Sequence, residues 1–132
     1  MKKVLVLLLL MVSTNVFAEW TRVTESDDVG GMTSYADLGT IKRKSNKVKM
    51  WRLYDFKTVQ KGAGGERYLS SITRSEYDCE EETIRMLDLH GYSGNIKTGD
   101  NVFSFSNFKE EPTSIRPDTI ESIFYKIACD KK

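Results

Sequence analysis

The feature that most restricts the fold is a rhythm: short runs rich in aromatic and β-branched residues, each closed by a cluster of turn residues. Runs at 20–25, 32–36, 47–58, 67–77, 83–89 and 101–106 are predicted strands. Between them stand Asp27-Asp28-Val29-Gly30-Gly31, Lys61-Gly62-Ala63-Gly64-Gly65, and the stretch from Ser93-Gly94-Asn95 to Gly99-Asp100. The run 47–58 is the clearest, because one parity carries Val48, Met50, Tyr54 and Phe56 while the other carries Trp51 and Leu53 between charges. Its middle is apolar on both faces, which predicts a central strand covered on both sides, with Lys47, Lys49 and Lys57 reaching solvent at the ends. No internal repeat or low-complexity stretch interrupts the pattern.

The C-terminal segment has a different period. Ile120, Ile123, Phe124 and Ile127 fall at i, i+3, i+4 and i+7, one apolar stripe of a helix. Asp118 is the expected cap, Glu121 three residues later completes an Asp variant of the capping box, and Pro117 disfavours an earlier start. At about 100° per residue, Cys129 falls opposite the stripe, so the helix is expected to end near 126–128. Ile123, Tyr125, Ile127 and Cys129 also alternate with period two, which leaves a final strand as the alternative. An antiparallel sheet of five to six strands with one C-terminal helix places the chain in the α+β class.

Residues 1–18 read as a cleavable secretory signal: Lys2 and Lys3, an uncharged apolar run from Val4 to Val12, then Val16-Phe17-Ala18. Polar Ser13, Thr14 and Asn15 stop the run short of the roughly 20 apolar residues of a membrane span. Cleavage after Ala18 leaves 19–132 as one small domain without a transmembrane helix. No cysteine lies near the cleavage point, so no lipid-anchored N-terminal Cys is expected. Losing Lys2 and Lys3 turns 20 basic against 19 acidic residues into 18 against 19, a balance that disfavours nucleic acid as partner. Cys79 and Cys129 make an even count for an oxidising compartment, and one bridge is expected, with two free buried thiols as the alternative. Closing a loop of about 50 residues would stabilise the fold by roughly 4 kcal/mol.

No catalytic, metal-binding or cofactor-binding constellation is legible. His90 is the lone histidine; with both cysteines bridged it has no thiolate to activate, and no second His to share a metal. The carboxylate runs Asp27-Asp28, Glu80-Glu81-Glu82 and Glu110-Glu111 lack the spacing of a calcium loop and read as solvated turns. Gly62, Gly64 and Gly65 lack the Gly-Lys-Ser/Thr ending of a phosphate loop. The densest charge feature is Lys42, Arg43, Lys44, Lys47 and Lys49 around Ser45-Asn46, a local positive field able to meet an acidic protein segment, with Trp51 beside it as a candidate anchor. The competing reading is a solvated hairpin whose lysines block unwanted strand pairing.

With these residues in view, the chain resembles the surface-adhesin protein E family of small exported bacterial proteins. The likeness rests on Trp20, Tyr35-Ala36-Asp37, Thr40 to Lys44, Asn46 to Trp51, Leu53-Tyr54-Asp55, Tyr77-Asp78-Cys79, Tyr92-Ser93-Gly94 and the ending Lys126-Ile127-Ala128-Cys129. It implies that the helix packs on the sheet, that Cys79 bridges Cys129, and that the protein is a non-enzymatic, adhesin-like module contacting host extracellular or envelope proteins, with a homodimer left open. The rival is a small periplasmic enzyme or enzyme inhibitor working from a cleft between sheet and helix. His90 among several carboxylates in such a cleft would favour the rival; an exposed aromatic and basic strip would favour the binding module.

Overall fold

In the computed structural model, which describes residues 19–130, six strands run in sequential order across one antiparallel sheet. They are β1 (Thr21–Ser26), β2 (Met32–Lys44), β3 (Lys47–Lys61), β4 (Arg67–Asp78), β5 (Thr83–Tyr92) and β6 (Asn101–Ser106). A two-residue strand, β7 (Thr113–Ser114), pairs with β5 beyond the end of β6, and an α-helix, α1 (Ile120–Asp130), is the last of the described elements. Neighbours in the sheet are neighbours in sequence, so turn clusters suffice as links. The segment read as a secretory signal lies outside the described residues.

Directly opposed residues share a face, so the pairing register sorts the side chains. One face carries the rows Val48–Tyr77–Ile84, Met50–Ser75–Met86, Arg52–Thr73–Leu89 and Tyr54–Ser71–Gly91–Phe103. Helix α1 lies on this face and closes a core in which Ala36, Val48, Met50, Tyr77, Phe124 and Ala128 are fully buried. Each large side chain removed from water here contributes about 1.5–3 kcal/mol. The other face carries Lys49–Glu76–Arg85, Trp51–Arg74–Asp88, Leu53–Ile72–His90–Ser104 and Asp55–Ser70–Tyr92. Part of it is covered by the connection from β5 to β6. There Asp55 Oδ1 accepts from the Ile96 amide and Asn95 Nδ2, and Ser70 Oγ donates to Gly94 O while accepting from the Lys97 amide.

Helix α1 is fixed at both ends. At its start the Ser122 amide donates to Thr119 Oγ1 and the Thr119 amide donates to Ser122 Oγ, both at 3.2 Å. At its end Cys129 is disulfide-bonded to Cys79, with Cα atoms 5.7 Å apart. There Tyr125 also donates its hydroxyl to Cys79 O at 2.9 Å, and Arg43 donates to Cys129 O at 2.8 Å.

The helix reading holds and the final strand does not form, but three details change. The cap is Thr119, paired with Ser122; Asp118 sits outside the helix at φ 61, and Glu121 turns to the sheet. Threonine wins because it can both anchor the first turn and exchange bonds with Ser122. The helix continues through Cys129 to Asp130 rather than ending at 126–128. The buried stripe centres on Phe124 and Ala128 while Ile123 is 40% exposed, a rotation of about 70° from the expected stripe that brings Cys129 to its flank. The strands are also longer than expected: β2 runs on from Ala36 to Lys44 through a register shift, β3 reaches Lys61, β5 reaches Tyr92, and β7 had no predicted counterpart.

Candidate functional site

The basic cluster sits at the β2–β3 hairpin, where strand alternation deals its members to two faces. Lys44 opposes Lys47 and Lys42 opposes Lys49, so four exposed lysines project from the face opposite the helix. Two like-charged pairs thus stand directly across from each other, an arrangement that costs stability. None of the four forms an ion pair among the described residues. Arg43, between them, opposes Val48 on the helix side and spends its guanidinium on the helix end.

Beside the lysines lies a pocket of about 300 Å³ lined by Gly39, Thr40, Lys42, Lys49, Trp51 and Arg74. The shift in register between Asp37 and Lys42 opens it, since β2 leaves β3 there. Asp37 Oδ1 accepts from the Gly39 amide, and Thr40 Oγ1 accepts from the Trp51 amide at 3.0 Å, which pins the wall of the pocket to its floor. The Arg74 guanidinium lies 5.8 Å from the Trp51 ring centroid, and Arg74 Nε bonds Asp88 Oδ2 at 2.6 Å. The result is an indole bordered by three cations, suited to a carboxylate-bearing side chain carried on an apolar stem. Trp51, Lys42 and Lys49 were legible as candidates. Arg74 was not, because only the register across β3 and β4 places it beside Trp51.

His90 stacks on Trp51 with ring centroids 5.9 Å apart. Its Nδ1 is 2.8 Å from Ser104 Oγ, which itself donates to Asn101 Oδ1, so Nδ1 is the donor to Ser104. The neighbouring carboxylate on β5, Asp88, is engaged by Arg74 and the Asn107 amide. His90 therefore supports the wall of an aromatic and basic strip. No group of three or more His, Cys, Asp or Glu among the described residues is placed to hold a metal ion.

The opposite face of β3 holds a buried charge. Arg52, 5% exposed, bonds Glu121 of the helix at 2.7 Å and lies within 5.3 Å of the Tyr54 ring centroid and 5.1 Å of that of Phe124. Burial works against its charge, but the Tyr77 and Tyr54 hydroxyls and Glu121 outweigh it and hold the guanidinium more firmly protonated than usual. Burial pushes the Tyr54 hydroxyl up, and it pushes Tyr77 up to about 12 even though Arg52 and Ser75 pull the other way. This cluster joins helix to sheet, with Arg52 and Tyr77 buried and Glu121 at its partly exposed margin. A shallow hollow of about 790 Å³ at the start of α1, bordered by Glu25, Asp28 and Asp118, includes Glu121, which is committed to Arg52.

A family model described as surface-adhesin protein E matches residues 20–130. The fold is similar to Haemophilus influenzae protein E in crystal form II, at 15% identity and TM-score 0.62 over 89% of this chain and 92% of that one. It is also similar to protein E from non-typeable Haemophilus influenzae, at 15% identity and TM-score 0.58 over 89% and 80% of the two chains. No curated protein matches significantly.

Proposed function

This chain belongs to the surface-adhesin protein E family, and from that premise we propose that it is an exported, non-enzymatic binding module, adhesin-like, that meets an acidic segment of a host extracellular or envelope protein. Residues 1–18 are removed on export in this reading, and 19–132 act in the periplasm or at the cell surface. The contact surface is the open side of the β2–β3 hairpin: Lys42, Lys44, Lys47 and Lys49, with Trp51 and Arg74 as the adjoining pocket. Arg43, read with this cluster in the sequence, supports it from behind by tying the hairpin to the end of α1.

The observation that carries the proposal is the pair of lysine pairs, Lys42 across from Lys49 and Lys44 across from Lys47, exposed and without ion-pair partners among the described residues. Edge protection would account for Lys42 and Lys44, which stand where β2 runs on past its pairing with β1, but not for Lys47 and Lys49, since β3 is paired on both sides there. An acidic partner would relieve the repulsion, and the lysines would speed encounter more than prolong residence, since exposed charges are screened within about 8 Å at physiological salt.

The test uses a partner captured from native envelope or host matrix and re-measured by surface plasmon resonance. Reversing Lys42, Lys44 and Lys49 to Glu should slow association at least tenfold at low salt and flatten its salt dependence, with melting temperature retained. Unchanged association of the folded variant would overturn the assignment of this face. Intact mass of exported protein checks the leader: a species beginning at Glu19 is expected, and one retaining residues 1–18 would refute cleavage.

A further inference from the structure

The pocket beside the lysines is more particular than an acidic partner alone requires. Its three cations come from three strands, Lys42 on β2, Lys49 on β3 and Arg74 on β4, and they border a single indole. That indole is held in place, since His90 stacks on the Trp51 ring with centroids 5.9 Å apart. Arg74 is aimed by Asp88, which takes only its Nε, so among the described residues its two terminal nitrogens keep their donors. Thr40 accepts from the Trp51 amide and donates to Asp37 O at 2.6 Å, which fixes the irregular part of β2 at the pocket mouth. Gly39 stands at that mouth, exposed and without a side chain. A Cβ there would meet nothing nearer than Asp37 Oδ1 at 3.4 Å, so the mouth is open because the residue is small.

A side chain that fills this pocket must end in an anion and carry enough apolar surface to cover an indole. Aspartate and glutamate have short stems, and a carboxylate offers two oxygens. A sulfate ester offers three terminal oxygens, one for each cation, and on tyrosine it is carried by an aromatic ring that packs on Trp51. As a monoanion it sheds water beside the indole at less cost than a phosphate ester, which carries close to two charges. Because the pocket is assembled before the ligand arrives, little order has to be created on binding.

We infer that this pocket takes a sulfated tyrosine, so that the acidic segment met by the basic face is a sulfotyrosine-bearing peptide of a host extracellular protein; the inference rests on the reading of that face as a site for acidic segments. Lys47, Lys49 and Trp51 are alternate residues of β3 on one face, and Lys47 stands four residues, about 13 Å, from Trp51. An extended peptide laid along β3 has the same repeat. With its sulfotyrosine over Trp51, it places an acidic residue four positions away between Lys44 and Lys47. The lysine pairs and the pocket thus read one ligand. A sulfated glycan would meet the lysines along its length and gain little from a pocket of about 300 Å³, the size of one side chain.

Fluorescence anisotropy on the exported protein with its disulfide intact compares a synthetic peptide carrying an aspartate four residues before a sulfotyrosine, its tyrosine and phosphotyrosine twins, and a heparin oligosaccharide. The sulfotyrosine peptide should bind about tenfold tighter than its tyrosine twin, the gain expected of charge-assisted contacts. Gly39→Leu fills the mouth and should bring that ratio close to one, with circular dichroism confirming the fold. Lys42→Gln with Lys49→Gln, both at the surface, should lower the ratio as well. Lys44→Gln with Lys47→Gln should instead weaken the two peptides alike and leave the ratio as it was. Equal binding of the sulfotyrosine and tyrosine peptides would overturn the sulfotyrosine assignment and leave the basic face as a site for acidic segments. Failure of every peptide to bind would overturn both. A phosphotyrosine twin that binds tighter than the sulfated peptide would give the pocket to a different ligand and overturn the inference. So would a heparin oligosaccharide that binds tighter and loses as much affinity through Gly39→Leu.

Discussion

The two faces of β3 are built from alternate residues of the same fifteen, yet they follow opposite rules. Toward the helix, Val48, Met50 and Arg52 are buried beneath α1 with Tyr54 partly buried beside them, and even the charge on that side has a partner in Glu121. Away from it, Lys47, Lys49 and Trp51 look outward, like charges face each other, and a pocket stays open. One face therefore holds the core covered by the helix and the other carries the unbalanced charge, although Leu53 and Ile72 on that second face are also buried. The comparison teaches that the basic residues are tolerated because the helix side holds the sheet independently of them. Changes under α1 should cost stability, whereas changes to the exposed lysines should leave it nearly untouched or raise it.

Removing the disulfide is expected to have the largest effect. It closes a loop with a sequence separation of 50 and holds the end of α1, so Cys79→Ala with Cys129→Ala should lose about 4 kcal/mol. Chemical denaturation of oxidised and double-mutant protein measures this directly. A loss below about 1 kcal/mol would mean that packing alone holds the helix, and would weaken the contrast between the faces.

Next comes the ion pair at the other end of the helix. Glu121→Ala leaves Arg52 buried without its partner and should cost about 2 kcal/mol, less than the roughly 3–5 kcal/mol of a fully buried pair, because Glu121 keeps 37% of its side chain exposed. Arg52→Met, which removes charge and need together, should cost less than Glu121→Ala. The reverse order would show that Arg52 contributes mainly by packing against Tyr54 and Phe124.

The same side of β3 should also set an alkaline limit. Tyr77 has its pKa pushed up to about 12 by burial, against about 10 in an unfolded chain. Its contribution is fully present below pH 10 and is lost as pH rises toward 12, because the unfolded state releases the proton first. Stability should therefore fall over that window, with tyrosinate absorbance rising as the fold is lost. Tyr77→Phe should soften the fall, and since the buried hydroxyl has no hydrogen-bond partner of good geometry, the substitution should be well tolerated at neutral pH.

The contrast was only half legible in the sequence. The period-two pattern of residues 47–58 revealed a central strand with lysines at its ends, and the turn clusters marked the hairpins. It did not reveal that Arg52 lies on the buried side, because a lone arginine among apolar residues acquires its partner from Glu121, 69 positions away. Glu121 in turn was read as a capping residue, since spacing to Asp118 was the only local signal available. The rotation of the helix follows from the same cause: Glu121 and Ala128 face the sheet for reasons of pairing and close approach that an apolar stripe cannot express. The lysines were visible as a cluster, but their division, four on one face and Arg43 on the other, needed the register of β2 on β3.

The smallest expected effect sharpens the comparison most. Lys42 and Lys49 oppose each other across β2 and β3 on the open face, so Lys49→Glu converts a repulsive cross-strand pair into an attractive one. Cross-strand pairs of opposite charge are worth about 0.2–1 kcal/mol, and exposure places this one near the low end, so the variant should be more stable by about 0.5 kcal/mol. The gain should shrink at high salt. Glu76, which also opposes Lys49 from β4, bonds Arg85 at 3.0 Å, so the new glutamate meets one acidic neighbour already held by a cation. The same substitution should slow association with an acidic partner. A fold that gains stability while losing association would assign Lys49 to binding, because a residue kept for stability would not leave its fold firmer when reversed. If Lys49→Glu lowers the melting temperature at low salt, the lysine pairs are not repelling each other, and the division of labour between the two faces of β3 fails at the residue on which it most depends.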